Sequence, residues 1–363
     1  MNYFITAFLS GAAVMVAEIS AARAIAPHFG ASVVVWTNVI GIILIALSSG
    51  YWVGGRIVDR HADMRLLGAI IAAAGVLLIL PAFATPFIAG SLIGELLRAG
   101  SGFLVLLIGS FVSVVLLFAL PIFLLGMVSP FLVKLAADGR TDIGAVAGRL
   151  YAISTVGSLV GTFLPTLLLL PILGTRATIL SAAAVLVVLG AVLMRRRAVV
   201  MLAVVPLALL TLRALPPPWF LGGRVVAAAE SRYQYLRIID HGDERLLAFN
   251  EGFGVQSVAV TDDHVPEGYF SAIAALPGVF ADDSRRIRVL ILGNAGGTIG
   301  NLMQRFFPDR SLDITGVELD PAVTALTSRW FPPPPRPYPI IHADSRTFVR
   351  GSDEQYDIIV VDA

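Results

Sequence analysis

The chain has 363 residues, 57% of them hydrophobic and 14% charged, with a mean hydropathy of +0.84. A soluble domain carries about 25% charged residues, so these values exclude an ordinary soluble protein of this size and point to one dissolved in lipid. The net charge of +1 gives no reason to expect a nucleic-acid partner, and the absence of cysteine excludes disulfides and thiolate metal sites.

Long apolar stretches run from Tyr3 to Ala24, Val33 to Gly54, Leu66 to Ala89, Phe103 to Gly126, Gly144 to Leu170 and Thr178 to Met194. A helix needs roughly 20 residues to cross the hydrocarbon core, so the sequence predicts six spans. The first is too long, and too closely followed by others, for a cleaved signal peptide. A seventh stretch, Val199 to Leu212, is short and contains Pro206, so the sequence allows either six or seven spans. Basic residues cluster in alternate loops: Arg56, Arg60 and Arg65; then Lys134, Arg140 and Arg149; then Arg195, Arg196 and Arg197. The positive-inside tendency makes these loops cytoplasmic and the N-terminus with them. The seventh stretch decides the side of everything after it, outside if it crosses and inside if it lies on the surface.

Three features of this half carry chemistry or packing. Glu18 is an ionisable group within a span, which suits either proton or cation coupling or a structural pair with Arg23 or a neighbouring helix. Gly148, Ser154, Gly157, Ser158 and Gly161 repeat down the fifth span and read as a close helix-packing face, with a substrate path as the alternative. The segment from Gly54 to Arg60 resembles the short basic loop between the second and third helices of major facilitator transporters, and also reads as a plain charged loop.

Composition turns from lipid-like to mixed around Leu215-Pro216-Pro217-Pro218-Trp219, a stiff extended linker. The resulting division is 1–215 as the helical domain, 216–223 as linker, 224–280 as a small antiparallel β domain and 281–363 as a nucleoside-binding domain. Period-two segments from Tyr233 to Asp240, Arg245 to Asn250 and Val255 to Thr261 predict hairpins, followed by a helix from Gly268 to Leu276. Strand and helix then alternate. Ile287–Leu292, Leu312–Val317, Pro339–His342 and Asp357–Val361 predict a parallel sheet covered on both faces, with its ligand across the carboxyl ends of the strands.

The turn after the first of these strands is Gly293-Asn294-Ala295-Gly296-Gly297-Thr298-Ile299-Gly300. Glycines permit a sharp passage from strand to helix, and free N–H groups there suit a polar or anionic ligand. Glu318, about 25 residues on, is placed to accept from ribose hydroxyls. Asp344 and Asp362 end the third and fourth strands, while Asp320 before Pro321 reads better as a helix cap than as a ligand group. The turn and strand-end acid also suit an NAD-linked oxidoreductase.

Taken together these residues resemble the polyamine aminopropyltransferases (spermidine synthases), in particular membrane-anchored bacterial members with fused helices. In the helical half the resemblance rests on Phe8-Leu9-Ser10-Gly11-Ala12-Ala13, Val35-Trp36-Thr37, Gly50-Tyr51-Trp52-Val53-Gly54-Gly55-Arg56 and Gly148-Arg149-Leu150-Tyr151-Ala152 with Gly157-Ser158. In the other half it rests on Tyr233-Gln234, Asn250-Glu251-Gly252, Gly316-Val317-Glu318-Leu319-Asp320-Pro321, Ala343-Asp344 and Tyr356-Asp357-Ile358-Ile359-Val360-Val361-Asp362. It implies a multi-pass α-helical bundle in the bacterial inner membrane, joined to a β-hairpin sheet and an α/β Rossmann-like domain of the adenosylmethionine-dependent methyltransferase type. It also implies decarboxylated S-adenosylmethionine as co-substrate, a diamine such as putrescine as acceptor, no metal, and a homodimer as one arrangement.

By the same resemblance Gly293, Gly296 and Gly297 form the nucleoside turn. Glu318 would hold the ribose, Asp344 the adenine amino group, and Gln234 and Gln256 the nucleoside side, while Tyr233, Tyr269 and Asp362 would line the amine pocket. The sequence departs from the family at Gly296, where an acid is usual, and at Phe270 and Ser271, where a histidine and an acid are usual. The sheet reads as unfinished after its fourth strand, with a sticky edge, so this stretch of chain is expected to lack turnover by itself. The alternative reading is a transporter or sensor whose nucleoside-type domain is regulatory or vestigial.

Overall fold

The computed structural model describes residues 3–98, 102–195, 219–220, 222–250, 254–260, 264–280 and 286–362. The chain forms two compact units, Met1–Ala214 and Leu215–Ala363. The seventh apolar stretch, Arg196 and Arg197, the proline run 216–218 and Glu251-Gly252 lie outside the described residues.

In the first unit the apolar stretches are helical, the form in which hydrogen bonds within each segment satisfy its own backbone. Helices α1 (Tyr3–Phe29), α2 (Val33–Arg60), α3 (Met64–Leu77) and α4 (Ile79–Arg98) come in order. Ser32 caps α2 by accepting from the Val35 N–H at 3.4 Å, and Asp63 caps α3 by accepting from Arg65 at 2.9 Å. Next come α5 (Gly102–Leu104), α6 (Ser110–Val114), α7 (Leu120–Gly126) and α8 (Val128–Ala137), with π-helical turns at Val105–Gly109 and Val115–Ala119. The Asn38 amide on α2 donates to the Leu107 carbonyl at 2.9 Å and to the Ser110 hydroxyl at 2.8 Å, gripping the first of these wider turns. Helix α9 (Ile143–Leu164) runs through a further π turn, Pro165–Leu169, into α10 (Leu170–Met194).

Among the described residues, five helical stretches are long and apolar enough to cross a membrane: Tyr3–Phe29, Val33–Arg60, Met64–Leu92, Leu106–Ala137 and Ile143–Met194. The sequence predicts six because the last stretch, 52 residues long, contains two of its spans. At 1.5 Å per residue it measures about 78 Å, more than twice the roughly 30 Å hydrocarbon core. Gly174, at φ 77° and ψ 170°, breaks it where the sequence places the intervening loop. The basic loops are also shorter than expected. Arg56 and Arg60 lie on α2, Lys134 on α8 and Arg149 on α9, because these helices continue beyond their apolar cores. Gly54 to Arg60 is therefore helix, and only His61 to Asp63 connects α2 to α3.

Glycines set how closely the helices approach. A Cβ at Gly157 would collide with the Phe8 carbonyl and one at Gly161 with that of Ala12, so α1 and α9 touch backbone to backbone. Gly148 faces open space and is not on this packing face. Gly68, Gly75 and Gly190 bring α3 against α10 in the same manner. Gly157→Leu is expected to cost about 1–3 kcal/mol or more by forcing α1 and α9 apart, whereas Gly148→Leu changes stability by about 0.5 kcal/mol at most. Thermal unfolding of the two variants in one detergent makes the comparison.

The second unit contains two sheets. Strands β1 (Trp219–Phe220), β2 (Gly223–Glu230), β3 (Tyr235–His241), β4 (Glu244–Phe249) and β5 (Val255–Val260) form an antiparallel meander in sequence order. The sequence reading misses β2, because Arg224-Val225-Val226-Ala227-Ala228-Ala229-Glu230 has an alanine run in place of alternation. After α11 (Tyr269–Ala274) and a 3₁₀ turn (Leu276–Val279), the parallel sheet consists of β6 (Ile287–Leu292), β7 (Leu312–Glu318), β8 (Ile340–His342) and β9 (Ile358–Val361). Its order is β8-β7-β6-β9, with α12 (Thr298–Phe306), α13 (Pro321–Trp330) and α14 (Ser345–Gly351) between the strands.

One face of β6, with Val289 and Ile291, shares a core with Ile299, Leu302 and Met303 of α12, Phe270 of α11 and Ile239 of the meander. The other face, with Leu290 and Leu292, packs on Val317, Phe348 and Tyr356. Leu236 and Ile238 on β3 meet Val323 and Phe331 beside α13.

Candidate functional site

The order β8-β7-β6-β9 places β7 and β8 on one side of β6 and β9 on the other. At such a reversal the connections leave in opposite directions and open a crevice at the carboxyl ends of the strands. The Asp362 N–H donates to the Leu292 carbonyl at 2.8 Å, putting Asp362 beside the glycine turn, and Ala343 N donates to the Glu318 carbonyl at 3.2 Å, bringing Asp344 next to Glu318. Asp344, Glu318, the turn and Asp362 thus stand in a row along one sheet end.

The backbone of the turn is tied to β7, Glu318 and β5. Gly293 and Gly297 adopt φ of 86° and 82°, conformations that favour glycine, and Ala295 adopts φ 44°. The N–H groups of Gly293 and Asn294 both donate to the Val317 carbonyl at 2.9 Å. Ala295 N donates to Glu318 Oε2 at 2.8 Å and Gly296 N to Ser257 Oγ at 2.8 Å. The sequence expects open N–H groups here, and those of Ala295 and Gly296 are taken, as buried backbone donors generally are. Glu318 is 6% exposed, and its Oε1 accepts from Asp320 N at 2.9 Å, so the carboxylate fastens the turn to the start of α13. Asp320 caps α13 through Ala322 N at 3.0 Å, in the role the sequence favours.

Gly296 has no room for a side chain. A Cβ there would lie 2.7 Å from Cε2 of Phe331 and 2.8 Å from Cβ of Ser257. An acid in this turn would need β5 or Phe331 to move. Gly296→Ala is expected to destabilise the second unit by about 1–3 kcal/mol in urea titration, and Gly296→Asp by more.

Beside the turn lies a cavity of about 190 Å³ whose walls include Asn294, Gly297, Asn301, Thr324 and Tyr338, but not Glu318. Tyr338 leans over Gly297 and Gly300 and donates to Asn294 Oδ1 at 3.2 Å. Burial pushes its hydroxyl up to about 12, so it remains a donor. Sequence reasoning overlooks Tyr338, Asn294, Ser257 and Thr298, whose Oγ1 accepts from Val258 N at 2.8 Å and ties α12 to the meander. Their partners lie about 40 residues away in the chain, a separation no periodic signal marks.

On the far side of the turn, the Tyr269 hydroxyl donates to Asp362 Oδ2 at 3.2 Å, joining residues 93 apart. Loss of solvent pushes Tyr269 up to about 12, and the neighbouring Asp362 charge adds to that shift. Desolvation also raises Asp362, with the tyrosine hydrogen bond pulling the other way. The pair keeps its proton on the tyrosine and leaves a carboxylate more basic than usual, suited to an ammonium group or to taking up a proton.

Phe270 is buried in the shared core and Ser271 Oγ donates to the Pro266 carbonyl at 2.6 Å, so both positions serve the scaffold. Asp344 caps α14, its Oδ1 accepting from Thr347 N at 2.9 Å and the Thr347 hydroxyl at 3.0 Å, which holds its pKa below the ordinary value. Tyr233 and Gln234 lie on the turn before β3, where their N–H groups donate to Ser231 Oγ at 3.0 Å and Tyr235 N donates to Asn250 Oδ1 at 3.1 Å. This turn joins β2 to β3, and Leu236 at the start of β3 packs in one cluster with Ala295 of the glycine turn. Gln256 lies on β5, and its neighbour Ser257 is the residue that touches the turn.

No protein-family model matches the chain. A "probable polyamine aminopropyl transferase" of Bifidobacterium longum (strain NCC 2705) is 35% identical over 134 residues, covering 37% of this chain and 29% of the relative. A "polyamine aminopropyltransferase" of Vibrio vulnificus (strain CMCP6) is 28% identical over 167 residues, covering 44% of this chain and 55% of the relative. The crystal structure of a "probable spermidine synthase" from Corynebacterium glutamicum ATCC 13032 shares 22% identity, with a TM-score of 0.32 over 38% of this chain and 51% of that one. The chain spans 29% and 55% of the lengths of these two curated relatives, and over that part it is similar to proteins named for aminopropyl transfer.

Proposed function

We propose that the second unit is a Rossmann-like, methyltransferase-type domain that binds decarboxylated S-adenosylmethionine and transfers its aminopropyl group to a diamine such as putrescine, while the first unit holds it at a membrane. The observation that carries this reading is the Tyr269–Asp362 pair beside the glycine turn, at the reversal of strand order. The names of the partial relatives support the same chemistry.

The co-substrate lies across the carboxyl ends of the strands, from Asp344 and Glu318 past the turn to Asp362, since the 190 Å³ cavity is below the roughly 300–1,000 Å³ of small-molecule sites. Each Glu318 oxygen accepts one backbone N–H and keeps a lone pair, which serves the ribose hydroxyls. Asp344 faces the adenine amino group, with Gln234 and Gln256 toward the nucleoside and Tyr233 toward the amine. Because the N–H groups of Ala295 and Gly296 are already bonded, the turn suits a sulfonium nucleoside without phosphates better than a dinucleotide.

In the reaction a neutral amine nitrogen attacks the methylene beside the sulfonium. The new C–N bond forms as the C–S bond breaks, its electron pair stays on sulfur, and methylthioadenosine leaves. The product ammonium sheds a proton to the Asp362 carboxylate, whose orientation Tyr269 fixes. The test is a comparison of membranes containing the protein with membranes of a strain lacking it, both given decarboxylated S-adenosylmethionine and putrescine. Methylthioadenosine and spermidine rising together support transfer and set aside the expectation that this stretch of chain lacks turnover by itself; no difference between the membranes overturns transfer by this chain.

A further inference from the structure

The first unit encloses a cavity of about 730 Å³, within the range of small-molecule sites and far larger than a bare metal ion requires. Its walls come from α1, α2, α7, α8 and α9. From Ala7 to Glu18 it follows α1 for about 16 Å at 1.5 Å per residue. Most of the lining is apolar. The exceptions are Glu18 and a set of hydroxyls that includes Tyr51, Ser129, Tyr151, Ser154 and Ser158.

Glu18 is the one carboxylate in this lining, and no lysine, arginine or histidine lines the cavity. The sequence offers Arg23 or a neighbouring helix as a partner, yet among the described residues no hydrogen bond or ion pair holds Glu18. A charge in a membrane interior is costly and is found facing a partner or a water-filled cavity. The hydroxyls add acceptors. Ser158 donates its proton to the Gly11 carbonyl at 3.3 Å, leaving its lone pairs for a ligand. Among the described residues no group of three or more acidic or histidine side chains is placed to hold a metal ion.

We propose that this cavity binds an alkylammonium ion, its single cationic head against Glu18 and its apolar stem along the aliphatic walls of α1 and α2. One carboxylate matches one charge, the hydroxyls complete the hydrogen bonds of a primary ammonium, and the lining suits hydrocarbon. Tyr51 and Tyr151, 48% and 54% exposed, stand at the mouth, so an amphiphilic amine enters beside them. The site is separate from the transfer chemistry proposed for the second unit and stands whether or not that reading holds.

The test uses the whole protein in dodecyl maltoside, with hexylammonium as probe and hexanol and hexanoate as controls. Hexylammonium is expected to bind saturably by calorimetry and to protect Glu18 from a hydrophobic carbodiimide, read by peptide mass spectrometry, while neither control does. Glu18→Gln, which keeps the side-chain shape, is expected to weaken binding by about 30-fold or more, as for removal of one partner of a buried charge pair. Nanodiscs with and without phosphatidylethanolamine separate the two sources of ammonium: protection by the lipid alone assigns the site to a headgroup amine, and protection only on adding hexylammonium assigns it to a free amine. Unprotected Glu18, or equal protection by hexanol, overturns the proposal without depending on any variant that folds poorly. Unchanged affinity in a folded Glu18→Gln protein overturns it as well.

Discussion

Asp362→Asn is expected to weaken diamine binding by about 30-fold or more, with no loss of melting temperature at neutral pH. The first effect follows from removing the carboxylate that meets the amine beside the glycine turn, while Tyr269 keeps an oxygen to donate to. The second follows from the direction of the pKa shift. Desolvation raises the Asp362 carboxyl above its ordinary value. A carboxyl raised by folding stabilises the folded chain at low pH, where it is protonated, and that contribution is lost as pH rises through the folded value. Ionised Asp362 therefore opposes folding at neutral pH, and asparagine removes that cost. Diamine affinity in the unmodified protein runs the other way, falling as pH drops through the raised Asp362 value. Calorimetry with putrescine and methylthioadenosine, from about pH 8 down to 4, follows the binding across the carboxylate range. Equal diamine affinity for both proteins at neutral pH would remove Asp362 from the amine site.

Glu318→Ala carries the largest expected cost in stability, about 2–5 kcal/mol in the second unit. The variant leaves the N–H groups of Ala295 and Asp320 without their acceptor in a region where Glu318 is 6% exposed. It also frees the turn from α13, so nucleoside binding is expected to fail with it. Glu318→Gln separates the two consequences. One oxygen still accepts, while the amide nitrogen faces a donor, and the cost falls to about 1–3 kcal/mol. Urea unfolding followed by circular dichroism reads both variants. A Glu318→Ala protein as stable as its parent would mean that the carboxylate does not secure the turn.

The parallel sheet is legible in the sequence because strands covered on both faces need continuous apolar residues, as in Val289-Leu290-Ile291-Leu292 and Ile358-Ile359-Val360-Val361. The positions of Glu318, Asp344 and Asp362 at strand ends follow from the same pattern. Their partners do not. A carboxylate aimed at its own turn and one aimed at a cleft leave the same letter in the sequence, so the bond from Ala295 to Glu318 needs coordinates to be seen. Strand β2 is hidden because three consecutive alanines have neither alternation nor strong strand preference. The break at Gly174 is legible as the gap between the fifth and sixth apolar stretches, although the helix continues on both sides of the kink. Tyr269 and Asp362 are each visible through family resemblance, yet their hydrogen bond across 93 residues is a product of how α11 and β9 pack.

The glycine turn, Glu318 and Asp362 make one claim together: this crevice takes a sulfonium nucleoside. The most direct measurement is a calorimetric titration of the protein in detergent with decarboxylated S-adenosylmethionine, S-adenosylmethionine and methylthioadenosine in turn. Saturable binding of the decarboxylated form, displaced by methylthioadenosine and stronger than that of S-adenosylmethionine, whose carboxylate Asp362 repels, is the expected result. No saturable heat from any of the three would contradict it.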